Sequence, residues 1–197
     1  MDRSDVTELY YITPIANVPS LMKHGILSHN LSVNVSHASV AMQEIQDKRK
    51  DKVIPGTDRK LHDYANLYFD AHNPMLSKVR RRNKEICVLR ISATVLELPG
   101  VIISDQNAAS GYARFYPEKD GLMAIDKDTV FATFWLHPEN LVAKWRHGSA
   151  KCAEVLIPNR IEPKYILGAL VANQTALESL KKPERELPVD IKGDIFF

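Results

Sequence analysis

Ser149-Ala150-Lys151-Cys152-Ala153-Glu154-Val155-Leu156-Ile157-Pro158 is the stretch whose reading decides how the chain is organised. Cys152, Val155, Leu156 and Ile157 are strand-forming apolar residues and Pro158 closes the run, so the sequence predicts a short, largely buried β-strand that carries one carboxylate. Desolvating an unpaired carboxylate is costly. Glu154 is therefore expected to be paired with Lys151 or a neighbouring arginine, turned toward solvent at the start of the strand, or kept in a cleft for chemistry. Other parts of the chain must decide among these.

With 197 residues, 45% hydrophobic and 25% charged, the chain fits one well-packed domain over residues 1–197. A net charge of +2 names no partner, but its distribution is uneven. Lys48-Arg49-Lys50 with Lys52, Arg59-Lys60, and Lys78 with Arg80-Arg81-Arg82 and Lys84 place much of the positive charge in the first half. Such clusters are usually solvated faces, and they are also the minimum electrostatic footprint for a phosphate-bearing partner. Cys87 and Cys152 lie in apolar runs, which suits buried, reduced thiols. Met1-Asp2-Arg3-Ser4-Asp5 has no signal-peptide pattern, and no apolar run approaches the ~18 residues of a membrane helix. The expectation is a soluble cytoplasmic protein with no membrane partner.

In chain order, Leu9-Tyr10-Tyr11-Ile12-Thr13 reads as a strand closed by Pro14. Asn17 is predicted to cap a short helix with Val18, Leu21 and Met22 on one face and Gly25 as its stop. A surface helix is expected from about Ser39 to Lys52, carrying Val40, Met42, Ile45 and Arg49, and Pro55-Gly56 stops it. Leu61 to Phe69 begins as a turn and becomes an aromatic strand, and Asn73-Pro74-Met75-Leu76 turns out of it. Ile86 to Ile91 is the clearest interior strand, and another is expected over Leu96 to Ser104, broken by Pro99-Gly100. Asp105 to Gly111 is a polar loop of small residues. A helix starts near Pro138-Glu139-Asn140-Leu141, Trp145 to Gly148 reads as a loop, Tyr165 to Val171 as the final strand, and Gln174 to Lys182 as a short helix. The tail after Pro183 carries no clear pattern. Many short strands with few short helices between them predict an α+β fold with a mostly antiparallel or mixed sheet.

Several chemistries are excluded or disfavoured by pattern. With 8 glycines, neither a dinucleotide fingerprint nor a P-loop occurs. The histidines and the two cysteines show no metal-ligand spacing. What is left is a carboxylate on a strand, an arginine on a helix, an aromatic strand, and a small-residue loop with Asn107 and Ser110. That set suits a substrate that is anionic at one end and develops positive charge at the reacting centre: arginine grips a pyrophosphate, aromatics stack on flat rings, and a fixed carboxylate stabilises an oxocarbenium-like sugar.

A family resemblance runs through the same residues. Tyr11-Ile12-Thr13-Pro14-Ile15-Ala16-Asn17 with Leu21 and Gly25 to His29, then His62-Asp63-Tyr64 with Tyr68-Phe69 and Pro74-Met75-Leu76, then Ser104 to Ser110 with Arg114-Phe115, then Ala153-Glu154-Val155-Leu156 before a proline, resembles the DarT family. The resemblance covers about residues 9 to 171. It implies an ADP-ribosyltransferase fold, with a split, mostly antiparallel or mixed sheet and short flanking helices. It implies a toxin that moves ADP-ribose from NAD, as co-substrate and without a metal, onto thymine or guanine in single-stranded DNA, and a DarG-type macrodomain antitoxin that removes the mark. By position, Glu154 and Arg49 are the implied catalytic residues. Tyr11, Thr13, Asn17, Gly25, Leu27, Tyr68, Phe69 and Met75 are implied at the NAD site. Arg80, Arg81, Arg82, Trp145, Arg146, His147 and Lys151 are the residues expected to meet the nucleic acid. Tyr11 departs from the histidine that members commonly have, and Gly148 to Lys151 is less basic than the family's usual approach to the glutamate. Transfer to protein or RNA, hydrolysis of NAD without an acceptor, and a catalytically silent nucleic-acid-binding module are the competing readings.

Overall fold

A computed structural model describes residues 1–38, 43–137, 139–180 and 186–197. The first strand, β1 (Glu8–Pro14), alternates Leu9, Tyr11 and Thr13 with Tyr10 and Ile12. After a 3-10 turn comes α1 (Val18–His24), stopped by Gly25 at φ 81°, where a side chain's Cβ would meet the Ile161 carbonyl oxygen at 2.1 Å. Then follow β2 (Ile26–Leu27), α2 (His29–Ser32), α3 (Gln43–Lys50) and β3 (Tyr64–Tyr68). Next are α4 (Pro74–Lys78), β4 (Ile86–Ser92), β5 (Ile102–Ser104), β6 (Phe115–Pro117), α5 (Glu118–Ala124) and α6 (Lys127–Val130). The chain closes with α7 (Leu141–Ala150), β7 (Glu154–Pro158), β8 (Arg160–Ile161), β9 (Ile166–Val171), α8 (Gln174–Ser179) and β10 (Val189–Ile191).

Eight strands form one sheet in the order β10-β9-β4-β1-β3-β7-β5-β6, antiparallel throughout except between β9 and β10, while β2 and β8 pair separately. β1 is bonded to β4 along its whole length, from Glu8↔Ser92 to Pro14↔Ile86, yet meets β3 only at Tyr10↔Tyr68. Beyond that one pair the sheet is split, and residues 11–14 and 64–67 face each other across a cleft. One half of the sheet is thus β10-β9-β4-β1 and the other β3-β7-β5-β6. Strand alternation sends Val155 and Ile157 into the main core with Leu67, Ile103, Leu9 and Leu89, and Glu154 and Leu156 to the opposite face. Removing a buried leucine from this core costs about 2 to 5 kcal/mol.

The α+β class and mostly antiparallel sheet match the sequence expectation. Local readings change in several places. Trp145 to Ala150 is helix: the Asn140 side chain accepts the Ala143 N–H (2.9 Å) and starts α7, so the capped turn carries Gly148 inside it. Asn73 to Leu76 likewise opens a helix, because Asn73 accepts the N–H groups of Met75 and Leu76 and Pro74 suits the first turn. Asn17 stands before α1 but makes no side-chain cap. In place of a strand over Leu96 to Ser104 there is a 3-10 turn (Ala93–Glu97) and then the short β5. β9 is not the final strand, since β10 adds to it in parallel. Within the helix expected from Ser39 to Lys52, α3 covers Gln43–Lys50, and Ser39, Val40 and Met42 lie outside the described residues, as do Pro138, Lys182 and Pro183. Among the described residues no helix is long and apolar enough to cross a membrane.

Candidate active site

Glu154 is the first residue of β7, paired across the sheet with Tyr68 on one side and Ser104 on the other, and it is 1% exposed. An interior strand therefore carries the carboxylate, and its cation is an arginine. Arg49 Nη1 lies 3.1 Å from Oε1 and 3.0 Å from Oε2, and the Ala108 N–H donates to Oε1 at 2.9 Å. A charge-assisted pair plus a backbone donor satisfies the carboxylate oxygens in this dry position. The backbone donor comes from the loop after β5, where the Asn107 side chain accepts the Ala109 N–H (2.9 Å), the Ser110 N–H bonds Asn107 O (2.8 Å), and the Asn107 N–H bonds Ser149 O (2.9 Å). Lys52 holds the same loop through the Ser110 carbonyl, with its ammonium 5.1 Å from the centre of the Phe115 ring. Burial, and then the nearby Arg49, lower the pKa of Lys52.

Arg49 reaches the site from the last turn of α3, and is the only buried residue of that helix. One turn earlier, Gln46 Oε1 accepts from His62 Nε2 at 3.0 Å. His62 is stacked on His29 with ring centres 4.0 Å apart, and burial, helped by His29 and Arg49, pushes its pKa down to about 4. The imidazole is then neutral near pH 7, with its Nε2 hydrogen committed to Gln46.

These groups lie at a cleft of about 1160 Å³, large enough for a dinucleotide. From β1 it is lined by Tyr11 and Thr13, from β3 by Tyr64 and Tyr68, and farther along by Asn17, Gly25, Leu27 and Met75. Burial pushes the Tyr11 hydroxyl up to about 12, and burial with the Glu154 charge raises that of Tyr68 well above its ordinary value, so both stay protonated. The Asn17 amide bonds Thr13 Oγ1 (3.2 Å) and Ala38 O (2.7 Å) and accepts the Ala38 N–H (2.9 Å), which fixes a cleft wall. Gly25 serves through its backbone, as the contact with Ile161 requires.

Two expected site residues are elsewhere. Phe69 is buried in the main core, because strand alternation turns it away from the face that Tyr68 occupies. Lys151 is not available to nucleic acid: its side chain has 0% exposure and is bonded to Asp70 and the Val130 carbonyl. Trp145, 68% exposed, and Arg146 stand on the open side of α7, with Trp145 and Lys144 at the mouth of the cleft. His147 is half-buried; its Nε2 donates to Thr129 O (3.2 Å) and its Nδ1 shares a hydrogen bond with His137 Nε2 (2.9 Å). Arg80, Arg81 and Arg82 form an exposed 3-10 turn after α4, where Arg82 pairs with Glu85 and Arg80 bonds Ser77 O. The role of Ala108 has no signal in sequence, since a backbone N–H looks alike at every position. His62 belonged to a recognisable motif, but its service to Gln46 depends on how α3 lies. The two cysteines are free, buried thiols, each pushed to about 12 by burial. Among the described residues no group of His, Cys, Asp and Glu could hold a metal ion.

Residues 10–197 match the family described as "DarT: ssDNA thymidine ADP-ribosyltransferase, DarT". A "DNA ADP-ribosyl transferase-DNA ADP-ribosyl glycohydrolase fusion protein" of Thermosipho africanus is 30% identical over 96% of this chain and 49% of its own length. The chain thus spans about half the length of that relative. Among solved structures, Thermosipho africanus DarTG in complex with ADP-ribose superimposes with a TM-score of 0.82 at 29% identity, over 97% of this chain and 51% of that one. Thermus sp. 2.9 DarT in complex with NAD+ gives a TM-score of 0.78 at 25% identity over 98% of both chains.

Proposed function

The chain belongs to the DarT family, and on that premise we propose that it moves ADP-ribose from NAD onto a base of single-stranded DNA and releases nicotinamide. The observation that carries the reading is the fixed, buried Glu154 carboxylate, bonded to Arg49 and the Ala108 N–H at the floor of a dinucleotide-sized cleft. NAD supplies a glycosidic bond to a good leaving group.

The protein's own residues do the rest by placement. Glu154 holds a hydroxyl of the nicotinamide ribose and faces the positive charge that develops on the sugar; a carboxylate already oriented needs no reorganisation at that moment. Arg49, beside it, serves the pyrophosphate and holds the carboxylate in its orientation. Tyr68 and Tyr11 present flat, protonated faces for ring stacking, and Met75 fills the gap beside them. As the bond from sugar carbon to nicotinamide nitrogen breaks, its electron pair leaves with nicotinamide, and a base nitrogen forms the new bond to that carbon and releases its proton to solvent water. Thymidine, which the family description names, is the acceptor we expect. In this reading the exposed face of α7 and the Arg80 to Arg82 turn meet the acceptor strand.

In this reading residues 1–197 act as one catalytic domain working in the cytoplasm, as the toxin of a toxin–antitoxin pair. A DarG-type macrodomain that removes the mark is the partner, since the Thermosipho relative joins a glycohydrolase to its transferase. Intact-mass spectrometry of a mixed-sequence single-stranded oligonucleotide, incubated with protein and NAD, tests the proposal. A gain of one ADP-ribose that vanishes with Glu154→Ala is expected, and fragmentation names the base. An active Glu154→Ala protein, or a wild type that modifies only protein, sinks it.

A further inference from the structure

Segments far apart in sequence meet at one buried ammonium. Lys151 lies in the turn between α7 and β7, three residues before Glu154, and its side chain has no solvent exposure. Its Nζ donates to the Asp70 carboxylate and to the Val130 carbonyl (2.9 Å), and lies 5.5 Å from the centre of the Trp135 ring. Asp70 comes just after β3, whose Tyr68 pairs with Glu154, and its second oxygen accepts the His72 N–H at 3.0 Å. Val130 ends α6, and Trp135 belongs to the connection from α6 to α7. An unpartnered ammonium in such a place is strongly disfavoured, so the groups around it are held to one arrangement.

α7 needs that hold, because none of its residues is buried. Apolar burial therefore cannot fix a helix whose outer side carries Trp145 and Arg146. Polar ties contribute: Lys151 with Asp70 at the base, the Asn107 N–H on the Ser149 carbonyl, and His147 on the Thr129 carbonyl and His137. Lys151 makes no hydrogen bond or ion pair with Arg49 or Ala108, the partners of Glu154.

We propose that Lys151, through Asp70, Val130 and Trp135, is a positioning residue for the acceptor strand. It locks α6 and α7 onto the ends of β3 and β7 and so sets where α7 meets the nucleic acid. The inference rests on the reading of the protein as a DNA ADP-ribosyltransferase. It separates the two substrates: the NAD side of the cleft stands without Lys151, and the acceptor side does not.

Lys151→Met alone would leave the Asp70 carboxylate without its cation, so the test pairs it with Asp70→Asn, which keeps the acceptor for His72. Expected of the double variant are a melting temperature near that of the wild type, unchanged NAD affinity and unchanged hydrolysis of NAD without DNA. The KM for a single-stranded oligonucleotide should rise about tenfold or more, as small misplacements of a substrate-positioning element do. An unchanged KM overturns the proposal. So does an equal loss of NAD hydrolysis and DNA transfer, or a double variant that no longer folds, since each assigns the pair to general stability. A wild type that modifies no oligonucleotide would instead overturn the functional reading beneath it.

Discussion

The two sides of the cleft are built differently. Glu154 stands on a strand bonded on both edges, from Tyr64↔Pro158 to Tyr68↔Glu154 with β3 and from Ile102↔Leu156 to Ser104↔Glu154 with β5, above a core of Val155, Ile157, Leu67 and Ile103. Arg49 stands on α3, a helix polar apart from Ile45, in which Arg49 alone is buried. That helix cannot be held by an apolar face. It is tied by Arg49 to Glu154 and by Gln46 to His62. The carboxylate is therefore placed by the framework, while the arginine is placed partly by the carboxylate itself. One member of the pair is rigid before the substrate arrives, and the other can answer to it.

The largest effect should come from breaking the tie across the cleft. Arg49→Ala leaves a buried carboxylate without its cation, which should cost about 3 to 5 kcal/mol of stability and lower transfer by about 10²-fold or more. Amide exchange in α3 should rise in this variant while exchange in β7 stays slow; equal loosening of both would erase the contrast. The tie from Gln46 to His62 should matter less. Because burial lowers His62 from 6.5 to about 4, the unfolded chain takes a proton below about pH 6.5 that the folded protein refuses. Its contribution is therefore complete above that pH and is lost as pH falls toward about 4. In His62→Gln the loss of melting temperature over this range should be smaller than in the wild type, and an equal loss would remove His62 from the account. The smallest effect is on the acceptor side. Reversing the charges of Arg80 and Arg81, both exposed, should weaken binding of a single-stranded oligonucleotide at low salt by a modest factor that shrinks as salt rises, without changing NAD affinity. Binding that ignores the substitutions would make that turn a solvated face.

Much of this was legible in local pattern. Ile86 to Ile91 and Val155 to Ile157 read as interior strands because their apolar runs are short and bounded, and both are. Trp145 to Ala150 misled because Gly148 suggests a break, whereas the cap that starts the helix is Asn140, several residues away. Lys151 misled for a different reason. A lysine is ordinarily expected in solvent, and its partner Asp70 is 81 residues distant.

The sequence by itself determined that a buried strand would carry a carboxylate, that a surface helix would carry an arginine, and that the surrounding strands would form an α+β sheet, because strand alternation and helix periodicity are properties of neighbouring residues. Only the tertiary structure decided which cation Glu154 would face, that Ala108 would give it a backbone N–H, and that Lys151 would be sealed inside with Asp70. Arg49 and Glu154 are 105 residues apart, and their meeting depends on the order in which the strands assemble and on the split between β1 and β3. No local periodicity encodes that order; it follows from which arrangement buries the apolar faces while pairing the buried charges.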